Sequence, residues 1–420
     1  MIRKRLGGGL LAALMLCAIA ITGAQAQEKQ PIKIGFGMAL TGGLAGGGKQ
    51  ALLAMEMWRD QVNAKGGLLG RPVQLVYYDD QSNPATVPAL YTKLIDVDKV
   101  DFIVSGYGTA QIAPAMPIAI QHNMTFFGLF GLAVNEEFHY DRYFSMLPSG
   151  QDAARNFCDP FFKVAMAADP KPKTLAILAE DSQFPKNASG AIHDIAKADG
   201  LEIVYDKTYP PGTPDFTPIV HAIQATNPDL VFVASYPPGS VGMLRAATEA
   251  GLKTRLFGGG MVGLQFTPIK LQFGTKLNGV VDYDWWIPAK TMQFPGILDF
   301  LKEYQTKAGA EGVDPLGWYL APFAYAYLEI LGDAIEGTKG LDQAKISDYM
   351  HANSFKTIVG DIAFGKDGEW AKSRVIEVQW QGVKGNTLDD FKDATNEVIL
   401  EPSDFKTGTV VAPYDGSTVK

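Results

Sequence analysis

Short apolar runs alternate with longer segments of helical period along most of the chain. Strand-like runs fall at 32–40, 73–78, 102–104, 124–127 and 143–147, then again at 175–179, 202–205, 230–234 and 256–257. Between them lie stretches at 49–63, 84–97, 185–199, 216–226 and 239–251 whose apolar positions recur at helical spacing. In the first of these, Leu52, Met55 and Val62 share one stripe. Strand, helix, strand with short connections predicts parallel sheets covered by helices on both faces, in two successive α/β units. After an extended aromatic run at 280–286 the rhythm changes. Helices are expected near 294–307, 318–335 and 342–352, a hairpin at 361–370 and a strand at 375–380. Beyond Gly385 the chain is polar and turn-rich, which predicts a tail over the surface.

The most informative stretch is 102–112. The apolar run Phe102, Ile103, Val104 stops at Ser105, passes through Gly106-Tyr107-Gly108 and restarts at Thr109 in a helix-compatible pattern. A buried parallel strand turning into a helix is expected, with Thr109 as N-cap. Free backbone N–H groups at a helix start, with one hydroxyl, suit a carboxylate. The alternative is that Thr109 only caps its own helix.

The first residues change the compartment. Arg3-Lys4-Arg5, an apolar stretch from Leu6 to Ile21 and Ala24-Gln25-Ala26 are the three parts of a secretory signal peptide, with cleavage expected after Ala26. No later segment approaches the roughly 18 apolar residues of a membrane span, so an exported, periplasmic protein is expected. Without the leader's three basic residues, 34 Lys and Arg remain against 45 Asp and Glu, a net charge of −11. Interspersed charges give no nucleic-acid footprint. Cys158 is the one cysteine beyond the leader, and its helix-like surroundings (153–168) predict a buried, inert thiol.

The runs I-K-I-G-F-G-M-A-L-T-G (32–42), N-A-K-G-G-L-L-G-R-P-V-Q-L-V-Y-Y-D-D (63–80) and A-G-L-K-T (250–254) resemble the leucine/isoleucine/valine-type solute-binding proteins of bacterial ABC importers. The likeness extends from about 32 to 382. It implies the type I periplasmic binding protein fold, two doubly wound α/β lobes joined by three hinge strands. Lobe one would comprise 31–148 with 283–372, lobe two 149–282 with 373–390, and 391–420 would be the C-terminal tail. It also implies a membrane permease as partner, a monomer, no cofactor, no metal and no enzymatic activity.

Position by position, the resemblance puts a carboxylate-binding hydroxyl at Thr109, and aromatic ligand contacts at Phe184 and Tyr236. Three other positions depart from it. Gly128-Leu129-Phe130-Gly131-Leu132 carries no second hydroxyl, the first loop offers Gly47 where an aromatic is expected, and Gly259-Gly260-Met261 lacks the acid that would hold a ligand ammonium. A buried ammonium without a carboxylate is strongly penalised. The expected ligand is therefore an aromatic or bulky apolar carboxylic acid rather than an α-amino acid. Glycines at 46–48 and 258–260 are expected to widen the cleft. Tyr107, Gly108, Thr109, Phe130, Gly131, Phe184, Tyr236, Gly260 and Trp285 form the expected ligand-binding set.

Two alternatives stay open. Asp181 or Asp284 would rescue binding of leucine, isoleucine, valine or another amino acid if either reached the site. Gly46-Gly47-Gly48 with Ala51 fits a loose dinucleotide-binding fingerprint, which would make the chain an enzyme. Scattered histidines (122, 139, 193, 221, 351) show no metal-ligand spacing. Adjacent Trp285 and Trp286 on an extended segment should point to opposite sides, so one lines a cleft at most.

Overall fold

The computed structural model describes residues 29–417, and the expected leader lies outside the described residues. Strands β1 (Ile32–Met38), β2 (Val73–Asp79), β3 (Phe102–Tyr107), β4 (Phe126–Leu129) and β5 (Tyr143–Ser145) form one sheet in the order β2-β1-β3-β4-β5. Its pairings are all parallel. β3 is buried along its whole length, as expected of a strand covered by helices on both faces.

The second sheet takes β6 (Thr174–Glu180), β7 (Glu202–Tyr209) and β8 (Leu230–Ser235). It omits a two-residue β9 (Lys253–Thr254) and continues with β10 (Leu256–Met261) and β11 (Val281–Asp284). A separate hairpin follows, β12 (Ser354–Thr357) with β13 (Gly360–Ala363). The chain then returns as β14 (Ile376–Trp380) and β15 (Glu397–Glu401), giving the order β15-β14-β11-β10-β8-β6-β7. The last two strands run antiparallel to their neighbours.

The chain thus crosses between the sheets three times: after β5, after β11 and before β14. The first and third crossings are tied by Arg374 N donating to Pro148 O at 2.7 Å. Between the second and third, residues of the helix Ala321–Thr338 rejoin the first sheet. Gln50 Oε1 accepts from Leu320 N and Ala321 N at 2.5 and 3.1 Å, and Tyr327 Oη donates to Ser105 O at 3.3 Å. This is the two-lobed α/β fold that the sequence predicts.

Three local expectations differ. A regular hairpin at 354–363 precedes the expected one at 361–370, which is short: Phe364 and Trp370 bridge, Ala371 N donates to Ala363 O and Gly365 N to Glu369 O, each at 2.7 Å. Residues 397–401 are no surface tail: Ile399 and Leu400 are buried, and the strand pairs with β14. Farther on, β16 (Tyr414–Asp415) pairs with β9. Of the glycines expected to widen the cleft, Gly46 faces open space, whereas most of the others are tightly packed. Gly48 lies in the first turn of the helix Ala45–Ala64, where a Cβ would fall 1.9 Å from Ala39 O. Gly258, at φ +138°, would put one 1.7 Å from Val281 O. Both let backbones approach closely.

Burial raises the Glu329 carboxyl, which accepts from Ile358 N at 3.1 Å, to about 7. A carboxyl held protonated by the fold stabilises it fully below its ordinary value near 4.5 and loses that contribution as pH climbs through about 7. Stability should fall by up to roughly 3 kcal/mol over that window from this group. Chemical denaturation at pH 4.5 and 7.5 should show a smaller fall in Glu329→Gln than in the native protein.

Candidate functional site

β3 delivers the chain to the site. Gly108, at φ +98°, is the N-cap of the helix Thr109–Ile112, and Thr109 is its first helical residue. The expectation of Thr109 as N-cap is corrected by one residue, because glycine reaches a positive φ that threonine disfavours. Freed from capping, the buried Thr109 Oγ accepts from Leu132 N at 2.9 Å. The Thr109 hydroxyl lies beside that of Tyr236.

Between the lobes lies a narrow, tightly closed cavity. Lobe one contributes Tyr107, Gly108, Thr109, Phe130, Leu132 and Leu147 from the loops after β3, β4 and β5. Phe157, Phe184, Tyr236 and Val262 approach from the second sheet's side, and Tyr283, Trp285 and Tyr319 complete the wall. Eight of these thirteen residues are aromatic and none carries a formal charge at neutral pH.

The rings pack as one box. Phe130 lies 5.5 Å from Trp285 and 5.3 Å from Tyr319 between centroids, Phe157 lies 4.7 Å from Tyr283, and Phe184 lies 5.6 Å from Tyr236. Direct bonds span the gap between the lobes. Ala110 N donates to Tyr236 Oη at 3.3 Å, and Asn187 Nδ2 donates to Leu132 O at 2.8 Å. The lobes are closed on one another here.

Burial holds the phenols of Tyr107, Tyr236 and Tyr283 far above their ordinary value. They therefore act as neutral hydrogen-bonding groups.

The acids are elsewhere, for a reason set by strand geometry. Along β11, Tyr283 and the following Trp285 face the cavity, so Asp282 and Asp284 point to the opposite face. Asp282 accepts from Met261 N at 3.0 Å and from Gln265 Nε2 at 3.4 Å. Asp284 accepts from Trp285 N at 2.6 Å and lies beside Glu397, which pairs with Lys270 Nζ at 2.7 Å. Burial, reinforced by the charge of Glu397, pushes the Asp284 carboxyl well up. Asp181 is half-exposed and paired with Lys186 at 2.6 Å. Neither acid lines the cavity. Glu180 sits behind Tyr236, accepting from Ser182 Oγ at 3.0 Å, and it too is absent from the lining.

Seven of the nine expected ligand-binding residues meet at this cavity: Tyr107, Gly108, Thr109, Phe130, Phe184, Tyr236 and Trp285. Gly131 and Gly260 do not. A Cβ on Gly131 would meet Val134 and Ile112, and one on Gly260 would meet Phe232 and Val233 O, so both are packed in the interior. Trp285 faces the cavity, whereas Trp286 donates through Nε1 to Met292 O at 2.7 Å and packs on Trp318. Six lining residues were not anticipated: Leu132, Leu147, Phe157, Val262, Tyr283 and Tyr319. For Tyr283 a signal existed, since it lies two residues before Trp285 on an extended run and so shares its face.

The sequence model of the periplasmic binding protein family matches residues 31–386. The Leu/Ile/Val-binding protein homolog 8 of Brucella suis biovar 1 (strain 1330) is 28% identical over 392 residues, covering 91% of this chain and 95% of the relative. Among solved structures, a solute-binding protein of R. palustris in complex with benzoate superposes with a TM-score of 0.73 at 18% identity, covering 91% of this chain and 98% of the other. A branched-chain amino acid substrate-binding protein of Streptococcus pneumoniae in complex with isoleucine gives 0.72 at 18% identity, covering 89% and 100%. Those two likenesses concern the fold. Two lobes, three crossings and an enclosed cavity agree with the family match, which spans most of the sequence: the chain belongs to the periplasmic binding protein family, as a solute-binding component of the branched-chain amino acid type of ABC importer and not an enzyme.

Proposed function

We propose that this protein captures an aromatic or bulky apolar carboxylic acid between its lobes in the periplasm and presents it, as a monomer, to the permease of an ABC importer. The observation that carries the reading is the aromatic, uncharged lining of the interlobe cavity. An α-amino acid would bury its ammonium there without a carboxylate partner, at a cost of several kcal/mol. A carboxylic acid meets the Thr109 hydroxyl instead, with its apolar body among the rings of Phe130, Phe184, Tyr236 and Trp285. The benzoate held by the R. palustris neighbour is a ligand of this class.

Lobe one is assigned 31–148 with 283–372, and lobe two 149–282 with 373–390, extended to include β15. A leader at 1–26 directs export. The ligand touches both lobes and so binds the closed state better than the open one, which shifts the population toward closure. The permease then engages the closed form.

The second reading, leucine, isoleucine or valine, is favoured by the likeness to the Leu/Ile/Val-binding protein homolog of Brucella. A thermal-shift panel separates the two. A ligand at a hundred times its dissociation constant adds about 2.7 kcal/mol of stability. Benzoate and related aromatic acids are expected to give the largest shift. A largest shift from leucine or valine would establish the amino-acid reading in its place.

A further inference from the structure

The cavity wall carries polar groups that a carboxylate at Thr109 would not use. Thr109 reaches toward the loop after β4, where its Oγ meets Leu132 N. Tyr107 packs against the first helix of the chain. A Cβ on Gly47 would fall 2.7 Å from the Tyr107 ring and 2.6 Å from Leu320, so the ring lies against that helix and the segment carrying Tyr319.

Near it the Tyr283 and Tyr319 hydroxyls bond to each other at 2.8 Å. The Tyr107 Oη and the Trp285 Nε1 are buried, line the same cavity and both face the Tyr319 hydroxyl without closing a hydrogen bond of normal length to it. Indole N–H is a donor only, whereas a phenol oxygen both donates and accepts. Two adjoining buried groups that require, respectively, an acceptor and a partner of either kind match a hydroxyl.

Resting on the carboxylic-acid reading above, we infer that the ligand is a hydroxylated aromatic acid whose ring hydroxyl accepts from Trp285 Nε1 and donates to Tyr107 Oη. An unsubstituted ring leaves both protein groups unpaired. Sites built to hydrogen-bond a substrate hydroxyl reject analogues lacking it far more strongly than apolar pockets discriminate by size.

Calorimetric titration with benzoate, 3-hydroxybenzoate, 4-hydroxybenzoate and 4-methylbenzoate tests this. At least one hydroxybenzoate should bind tenfold or more tighter than benzoate, while the methyl analogue shows no comparable gain. In Tyr107→Phe and in Trp285→Phe the ratio of hydroxybenzoate to benzoate affinity should collapse toward one. Affinities for benzoate and both hydroxybenzoates within twofold in the native protein would overturn the inference and leave the carboxylic-acid reading standing. A ratio that survives in both variants would do the same. Absence of binding by all four acids, with tight binding of leucine, would instead mark failure of the carboxylic-acid reading itself.

Discussion

Replacing Thr109 with valine is expected to weaken binding of an aromatic carboxylate by about 1.5–3 kcal/mol, the range for a hydrogen bond to a charged group. The substitution keeps the side chain's shape and removes its hydroxyl. That hydroxyl is buried, and its oxygen already accepts from Leu132 N, so the proton it donates is aimed by a fixed bond rather than by a free rotor. Valine leaves Leu132 N without its acceptor as well, a loss felt in the free protein too. Denaturation of the unliganded variant measures that part separately. Thr109→Ser retains both bonds and should lie much closer to the native affinity. Calorimetric affinities for benzoate unchanged in Thr109→Val would reduce Thr109 to a fastener of the loop after β4.

The largest effect on stability is expected from Lys270→Ala, at about 3–5 kcal/mol, the cost of removing one partner from a buried ion pair. Lys270 Nζ lies 2.7 Å from Glu397 Oε2, and their side chains are 1% and 4% exposed. The ammonium also sits 5.4 Å from the Trp318 ring centroid and 5.7 Å from that of Trp380. Without it, Glu397 and the adjacent Asp284 are left as two buried acids with no cation. Glu397 opens β15, so the loss falls on the attachment of that strand to β14. Urea denaturation of the variant measures the effect. A double replacement, Lys270→Met with Glu397→Leu, should recover much of the loss, since apolar side chains substitute well for a buried pair. A single-variant loss below about 1 kcal/mol would mean that water reaches the cluster.

The alternation of strands and helices was legible because most strands are buried on both faces and short, so their apolar runs stand out between helical stretches. β15 escaped notice for the opposite reason. Its five residues, Glu397–Glu401, begin and end with acids, and Glu397 is buried only because Lys270, remote in sequence, meets it. The glycine-rich stretches are mostly packed rather than open, Gly46 excepted. Gly48 and Gly258 mark close backbone contact, and a sequence cannot distinguish that from open space.

At the site, residues after strand ends were found because chain reversal places them at one edge of the sheet. Phe157 and Tyr319 were missed because each joins the cavity from an element whose placement depends on the crossings. Tyr319 precedes a helix that returns to the first sheet, and Phe157 lies within the helix Ala153–Met166. The missing ammonium partner was readable from Gly259-Gly260-Met261. That the two acids of β11 face away from the cavity follows only once Tyr283 and Trp285 are known to line it.

The central claim is that the interlobe cavity accepts a negative end and an aromatic body but has no place for a positive end. Titrating unliganded protein with benzoate and with leucine by calorimetry tests it most directly. Saturable one-to-one binding of benzoate, with leucine at least a hundredfold weaker, is the predicted result. Leucine binding as tightly as benzoate, or tighter, would contradict it.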